Sequence, residues 1–219
     1  MRRSYPRRKE LELFEREIEV LKSIDHPLIP NYIDHFQEEQ KEGKLFVLVQ
    51  EYVGGENLYH LVKHGRRFSS DEVKQLLMSL LDTVRYIHTL HPPIVHRDIT
   101  PKNIVLDEKD NVYLVDFGAV GHIAEDGKTF VGTMGYMPPE QMYGRSTPAS
   151  DLYSIGVTML FLLSGKDPGN LVLVDMKLDY DGMVEVPEDL KMLLDRLIEP
   201  SLKKRLKTSR QALRILKEG

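Results

Sequence analysis

The sequence predicts a segregated α+β fold, with strands early in the chain and helices in most of the rest. Two runs of β-favouring residues, 33–37 and 45–49, lie in the first third of the sequence. Beyond residue 57, most apolar residues recur at the three- and four-residue spacing of amphipathic helices. With 219 residues, 41% of them hydrophobic, the chain is long enough for one domain or two small lobes.

The first predicted helix is amphipathic and ends before Asp25. Its apolar residues alternate with glutamates, and Pro27 disfavours helical geometry at the residue before it. The two predicted strands follow, separated by a polar linker. Gly54-Gly55 then interrupts the pattern before a short helix at residues 58–63. The apolar face of the first helix consists of Leu11, Phe14, Ile18 and Leu21.

A capping box begins the longest predicted helix. Ser69 is followed three residues later by Glu72, and apolar side chains then line one face as far as Ile87. Two short strand-like runs, 104–106 and 112–115, flank a polar turn and predict a β-hairpin.

The last part of the sequence predicts three more helices. Thr147-Pro148 is a favourable helix start, and Ser164-Gly165 ends that helix. Two further helices are expected near residues 188–198 and 208–217. The long stretch 118–144 lacks a regular pattern, and compact domains rarely contain so long a loop without a function. The apolar face of the helix after Thr147 consists of Leu152, Ile155, Met159, Leu160 and Leu163.

Charge and composition exclude several classes of function. The 30 basic and 34 acidic residues give a net charge of −4, so the sequence lacks the basic excess that binding to nucleic acid or anionic membranes needs. The absence of cysteine excludes disulfides, thiolate metal sites and cysteine nucleophiles, and it fits a reducing compartment. No apolar run approaches the ~18 residues of a membrane span. We therefore expect a cytoplasmic protein that binds neither nucleic acid nor membrane.

Three short motifs in a fixed order indicate the chemistry. His96-Arg97-Asp98, with Asn103 five residues after the aspartate, lies between the longest helix and the predicted hairpin. Asp116-Phe117-Gly118 directly follows the hairpin, and the sequence GTMGYMPPE occupies residues 132–140. Together these motifs resemble the catalytic core of the protein kinase superfamily, and GTMGYMPPE resembles its serine/threonine branch.

The resemblance implies a two-lobed α+β fold formed by a single kinase domain, residues 1–219. Residues 1–50 would be the remnant of a truncated N-terminal lobe with its C-helix, residues 51–56 the hinge, and residues 57–219 a mainly α-helical C-terminal lobe. The resemblance also implies an enzyme that uses ATP and Mg²⁺ to phosphorylate serine and threonine hydroxyls of a protein substrate.

The roles of the family's site residues transfer to the matching positions of this sequence. Asp98 would orient the acceptor hydroxyl and accept its proton, while Asn103 and Asp116 would bind Mg²⁺. Thr133 would contact the catalytic aspartate and shape the acceptor site. The other implied nucleotide-site residues are Glu17, which pairs with a strand lysine in the family, Glu51 and Val53 at the adenine, with Gln50 as gatekeeper, and Glu56 at the ribose.

Other matches concern structure and regulation. Asp151 matches a buried acid that braces the catalytic loop, and Glu140 and Arg205 match an ion pair of the lower lobe. Arg97, beside the catalytic aspartate, is typical of kinases controlled by loop phosphorylation, because arginine binds phosphate well. Thr129 is the candidate phosphorylated residue.

The sequence departs from the family pattern at two points. Serine/threonine kinases usually have a lysine two residues after the catalytic aspartate, where this chain has Thr100. We expect Lys102, two residues further on, to supply that charge as a catalytic residue. In addition, no G-x-G-x-x-G loop occurs, and nothing before Glu17 resembles the strand that carries the pairing lysine.

Three interpretations follow from these departures. In the first, the chain is a serine/threonine kinase whose first strands are missing from this sequence. In the second, it is a pseudokinase that acts as an interaction scaffold. Alternatively, it is a split kinase completed by strands of a partner chain. A small-molecule phosphotransferase of similar fold is disfavoured, because GTMGYMPPE forms a protein-acceptor surface that such enzymes generally lack.

Overall fold

A computed structural model describes residues 8–40, 43–122, 132–174 and 177–218 of the chain. Within these ranges the protein is a mixed α+β structure of seven α-helices and nine strands, as the sequence predicts. The helices are α1 (Arg8–Ser23), α2 (Leu58–Lys63), α3 (Ser70–Thr89), α4 (Pro139–Met142), α5 (Pro148–Ser164), α6 (Glu188–Leu197) and α7 (Ser209–Glu218). The strands are β1 (Tyr32–Gln40), β2 (Gly43–Gln50), β3 (Glu56–Asn57), β4 (Ile94–Val95), β5 (Ile104–Leu106), β6 (Val112–Leu114), β7 (Gly121–His122), β8 (Val172–Val174) and β9 (Lys177–Asp179).

The helix α1 packs against an antiparallel hairpin formed by β1 and β2. The two strands pair along their whole length, so both are longer than predicted. The ring centre of Phe14 in α1 lies 5.5 Å from that of Phe46 in β2. At the other end of α1, Val20 and Leu21 belong to the main hydrophobic core. The helix is therefore attached both to the hairpin and to the core.

The helix α5 is buried around its whole circumference. Every residue from Ala149 to Leu162 is buried, whereas Leu163 is only half-buried. The predicted burial of Leu152, Ile155, Met159 and Leu160 is confirmed, and that of Leu163 is only partial. The other residues from Ala149 to Leu162 are buried as well because α3, α6 and β4 pack around α5 from several sides. A helix that is apolar on all sides is typical of the centre of a helical core.

Short strands join the segments that carry the motifs. β3, β5 and β6 form one antiparallel sheet with β5 in its centre, and β4 pairs with β7. Both β7 and α4 lie within residues 118–144, so this stretch is more regular than the sequence suggests. Strands of two or three residues carry too little periodicity to be recognised from sequence.

A buried ion pair links α4 to the segment before α7. Arg205 is 2% exposed, and its Nη1 and Nη2 lie 2.6 and 3.1 Å from the two carboxylate oxygens of Glu140. The guanidinium group also donates to the carbonyls of Ala149, Glu199 and Pro200. These contacts confirm the predicted pairing of Glu140 with Arg205.

Replacing Arg205 by methionine should lower the free energy of unfolding by about 3–5 kcal/mol, because the Glu140 carboxylate would stay buried without its cation. Urea unfolding followed by circular dichroism measures the loss. Arg214→Met is the matched control, since Arg214 pairs with Glu218 at 3.9 Å on an exposed face. A loss below about 1 kcal/mol in Arg205→Met would contradict the expectation.

Candidate active site

The catalytic loop brings three of the predicted residues into one hydrogen-bonded group. Thr133 Oγ1 donates to Asp98 Oδ1 at 2.8 Å, and Asn103 Nδ2 donates to Asp98 Oδ2 at 3.1 Å. Asn103 Nδ2 also donates to the Asp98 carbonyl at 2.9 Å. Each carboxylate oxygen of Asp98 thus has a fixed donor. These bonds orient the side chain and leave other lone pairs able to accept a further hydroxyl.

Asp151 of α5 holds the backbone of the same loop. Its buried carboxylate accepts the N–H groups of His96 and Arg97, both at 2.9 Å, and lies 2.8 Å from His88 Nε2. Burial alone would raise the pKa of Asp151, but the His88 and backbone hydrogen bonds outweigh it and lower that pKa below its usual value. An ionised Asp151 therefore serves as a fixed double acceptor, which is the bracing role predicted for it.

The sequence analysis does not single out His88. This residue continues the spacing of Leu77, Leu81 and Val84 on the buried face of α3, and its side chain is 8% exposed. A polar side chain at a core position needs a hydrogen-bond partner. The pattern could therefore have indicated a polar contact at His88, although not that the partner is Asp151.

The Asp116 turn places two predicted carboxylates next to each other. Asp116 has a φ of 63° directly after β6, and its Oδ1 accepts the Gly118 N–H at 3.2 Å. A Cβ on Gly118 would lie 3.2 Å from Asp116 Oδ1 and 3.5 Å from Glu17 Oε2. Glu17, on α1, and Asp116 therefore approach the same glycine, and a side chain there would crowd both carboxylates.

The environment of Glu17 is poor in positive charge. Burial, reinforced by the negative charge of Asp116, raises the pKa of Glu17 to about 7. Within the described ranges, no lysine or arginine lies close enough to offset this shift. Glu17 and Asp116 together form a place where a positive charge would be stabilised.

His96 connects the catalytic loop to the Asp116 turn. Its fully buried imidazole lies 4.7 Å from the Phe117 ring, measured between centres, and burial lowers its pKa despite the nearby aspartates. The Val115 N–H donates to the Asn103 carbonyl at 3.0 Å, which adds a backbone link. The two motifs thus form one packed unit around a neutral histidine.

The predicted hinge residues lie on the segment that leads from β2 into β3. The Glu51 carboxylate accepts a hydrogen bond from the Asn31 side-chain amide at 3.0 Å. The backbone N–H of Glu51 donates to the Asn31 carbonyl at 2.8 Å. No described residue forms a hydrogen bond with the Val53 backbone. Glu56 Oε1 lies 3.0 Å from His64 Nδ1. The Val53 backbone therefore remains able to bind a ligand.

A glycine allows this segment to approach the strand after the catalytic loop. Gly55 has a φ of 128°, and a Cβ there would collide with the Leu106 carbonyl oxygen of β5. The pairing of β3 with β5 then joins the hinge segment to the strand that begins directly after Asn103. The hinge and the catalytic loop are therefore connected through one small sheet.

Lys102 is exposed in the middle of the 3-10 turn Pro101–Asn103, which lies close to α2. Its Nζ lies 4.9 Å from the Tyr59 ring centre, a cation–π contact, and that ring stacks on Phe161 at 5.7 Å. In the part of the chain that is described, no hydrogen bond links Lys102 to Asp98.

The predicted residues therefore form two groups and a separate segment. Asp98, Asn103 and Thr133 are joined by hydrogen bonds, and Glu17 lies beside Asp116. Among the described residues, no hydrogen bond or ion pair joins either group to the hinge residues Glu51, Val53 and Glu56. Thr129 lies outside the described residues.

The donor set of the site fits Mg²⁺ and a phosphate-bearing nucleotide. The amide oxygen of Asn103 and the carboxylate of Asp116 are hard oxygen donors, which Mg²⁺ prefers. The charge of Asp116, which adds to the effect of burial on the pKa of Glu17, gives the same region a negative potential. A divalent cation that also bound phosphate oxygens would neutralise that potential.

The comparison with known families agrees with this geometry. Residues 2–215 match the family model of the protein kinase domain. The chain belongs to the protein kinase domain family, and the resemblance inferred from its motifs is confirmed.

Two relatives bear the name serine/threonine-protein kinase, and a third is named Aurora kinase. Serine/threonine-protein kinase B of Synechocystis sp. is 37% identical over 218 residues, which cover 92% of this chain and 37% of that protein. Serine/threonine-protein kinase F of the same organism is 33% identical over 234 residues, covering 95% of this chain and 45% of that protein. The Aurora kinase of Schizosaccharomyces pombe is 30% identical over 204 residues, covering 87% of this chain and 55% of that protein. The chain thus spans less than half the length of the two Synechocystis relatives.

Replacing Glu17 by glutamine should stabilise the metal-free protein above neutral pH. The pKa of Glu17 is raised from 4.5 to about 7 in the folded chain. The folded state therefore keeps a proton that the unfolded state releases in this range, and wild-type stability falls as the pH rises through it. After allowance for solvent screening, we expect a gain of about 1–2 kcal/mol above pH 7 that disappears below about pH 4.5.

Urea unfolding at several pH values measures this difference, with Glu19→Gln on the same helix as the matched control. A stability difference between wild type and Glu17→Gln that did not change with pH would contradict the expectation.

Proposed function

We propose that this chain is a serine/threonine protein kinase domain that transfers the γ-phosphoryl group of ATP to protein hydroxyls. The observation that carries the proposal is the Asp98 carboxylate, held by Thr133 on one oxygen and by Asn103 on the other. A carboxylate fixed in this way can align an incoming hydroxyl and accept its proton. Family membership and the kinase relatives support the same conclusion.

Each predicted residue has a role in this proposal. Asp98 orients the acceptor hydroxyl and takes its proton, while Thr133 and Asn103 hold the carboxylate in place. Asn103 and Asp116 would hold Mg²⁺, whose chemical contribution is to neutralise charge on the transferred phosphoryl group. Because phosphoryl transfer depends mainly on positioning and charge, these contacts suit the chemistry.

We propose that the nucleotide lies between the hinge and the Asp116 turn. The Glu51 carbonyl and the Val53 backbone would bind the adenine, and Glu56 would bind the ribose. Glu17 would complete the phosphate end through a cation. In this arrangement residues 51–56 are the hinge between an upper part, 1–50, and a lower part, 57–219.

The environment of Glu17 favours a second candidate function. Its carboxyl group lies near Asp116; burial, reinforced by that negative charge, raises its pKa, and no described cation offsets the rise. A partner chain that supplied strands and a lysine or arginine would stabilise the ionised Glu17 carboxylate. The chain and this partner would then together form a split kinase. Without such a cation the chain would bind nucleotide weakly and act as an interaction scaffold.

For location and partners we propose a cytoplasmic protein whose partner is a protein with a serine or threonine acceptor. The absence of cysteine fits a reducing compartment. None of the helices that the structure describes is long and apolar enough to cross a membrane.

Asp98→Asn should lower phosphate transfer by at least about 100-fold, because asparagine cannot accept the hydroxyl proton. Transfer from Mg·ATP to the chain itself and to a generic basic protein measures the effect. Asp71→Asn, at an exposed position in the first turn of α3, is the control. Equal transfer by wild type and Asp98→Asn would contradict the catalytic role, and a folded wild type without any transfer would favour the scaffold or split kinase.

Lys102→Ala should lower the rate of transfer by more than about tenfold while nucleotide affinity stays nearly unchanged, because its charge would act on the transferred group. The control is Lys109→Ala, in the turn between β5 and β6, with no expected effect on rate. Steady-state kinetics and a nucleotide titration separate the two quantities. A rate within about twofold of wild type would exclude a catalytic role for Lys102.

A further inference from the structure

The residue before the catalytic aspartate is held in an unfavourable backbone conformation. Arg97 has a φ of 70°, in the left-handed region, which costs a non-glycine residue roughly 1–2 kcal/mol. Such a conformation persists only where its surroundings impose it. Because Asp98 is the next residue, the backbone conformation of Arg97 determines the position of the Asp98 side chain.

Two side chains from different helices hold the backbone of Arg97. Its N–H donates to Asp151 Oδ1 of α5 at 2.9 Å. Its carbonyl accepts a hydrogen bond from Gln141 Nε2 of α4 at 2.5 Å. Gln141 is 2% exposed, so its amide is fixed in the interior rather than exchanging with water. Both polar groups of the strained residue are therefore bound by buried side chains.

The same amide lies against the loop that carries Thr133. A Cβ on Gly132 would lie 2.6 Å from Gln141 Nε2 and 2.7 Å from the Arg97 carbonyl oxygen. Gly132 has a φ of 119°, so both its conformation and the available space require glycine. Gln141, the Arg97 carbonyl and Gly132 thus form a single tight junction, one residue before Thr133 and one residue before Asp98.

We propose that Gln141 is a positioning residue that couples the acceptor loop, residues 132–138, to the catalytic loop, residues 96–103. The proposal rests on the kinase function proposed above and adds a residue to which no role has been assigned. Removing the Nε2 donor takes the Gln141 hydrogen bond from the partly buried Arg97 carbonyl, and the left-handed conformation loses that restraint. Asp98 follows Arg97 and Thr133 follows Gly132, so the hydrogen bond between Asp98 and Thr133 then loses its fixed geometry.

The test compares Gln141→Met with Ser154→Ala. Methionine keeps the length of glutamine without a donor, whereas Ser154 is a buried residue that donates to the Tyr136 carbonyl and to the Ser150 carbonyl of its own helix. We expect Gln141→Met to lower kcat by about 30-fold with nucleotide affinity within about threefold, since a displaced carboxylate impairs positioning more than binding. Ser154→Ala should lose comparable thermal stability and keep kcat within about threefold of wild type.

Hydrogen–deuterium exchange of the nucleotide-free protein gives a readout that does not depend on activity. We expect faster exchange in residues 96–103 of Gln141→Met and unchanged exchange there in Ser154→Ala. If Gln141→Met does not fold, Gln141→Asn replaces it, since its amide is one methylene too short to reach the carbonyl.

The outcomes separate this inference from the proposed function. Unchanged exchange in residues 96–103, or equal kinetics for the Gln141 and Ser154 variants, would overturn the positioning role. A wild type that transfers no phosphate would overturn the kinase function instead, and the exchange comparison would still decide whether Gln141 holds the loop.

Discussion

The catalytic site depends on one carboxylate in the middle of the molecule, that of Asp151. It is fully buried, it is ionised, and it accepts two consecutive backbone N–H groups of the catalytic loop. Because α5 is packed on all sides, the position of this carboxylate is fixed by the core as a whole. The helical core therefore holds the backbone of the catalytic loop in place through two hydrogen bonds.

The two halves of the site differ in how well they are prepared for chemistry. On the acceptor side, both carboxylate oxygens of Asp98 already have donors, so little reorganisation is needed when a hydroxyl arrives. On the proposed nucleotide side, Glu17 lies near Asp116, and burial, reinforced by the charge of Asp116, raises the pKa of Glu17 to about 7. The hydrogen bonds that fix Asp98 are thus formed by described residues of the chain itself, whereas a cation beside Glu17 and Asp116 would stabilise both carboxylates.

Much of this arrangement can be predicted from sequence because the signals are local. The long helices have a clear apolar period, the capping box at Ser69 is present as expected, and the motifs identify Asp98, Asn103 and Asp116 by their spacing. The roles proposed for these residues remain predictions, although the structure brings Asp98 and Asn103 into direct contact.

The features that the sequence does not reveal are those that depend on distant partners. His88 and Asp151 are 63 positions apart, and Gln141 lies 44 positions from Arg97, so no local pattern connects them. The short strands β4 and β7 form only because the chain returns to the same place. Likewise, α5 is buried on every side because several elements surround it. The spacing of its own apolar residues does not show how many neighbours it has.

The complete burial of α5 has a consequence for how the protein unfolds. Because α5 is buried on every side, detaching it while α3 and α6 stay folded would expose its many apolar side chains to water. The helical layer should therefore open as one cooperative unit, whereas the hairpin of β1 and β2, with Ile33, Phe36 and Leu45 exposed, can fray separately. Once the layer opens, the apolar side chains of α5 are exposed and favour aggregation. Refolding of the helical layer should therefore be the step most sensitive to protein concentration.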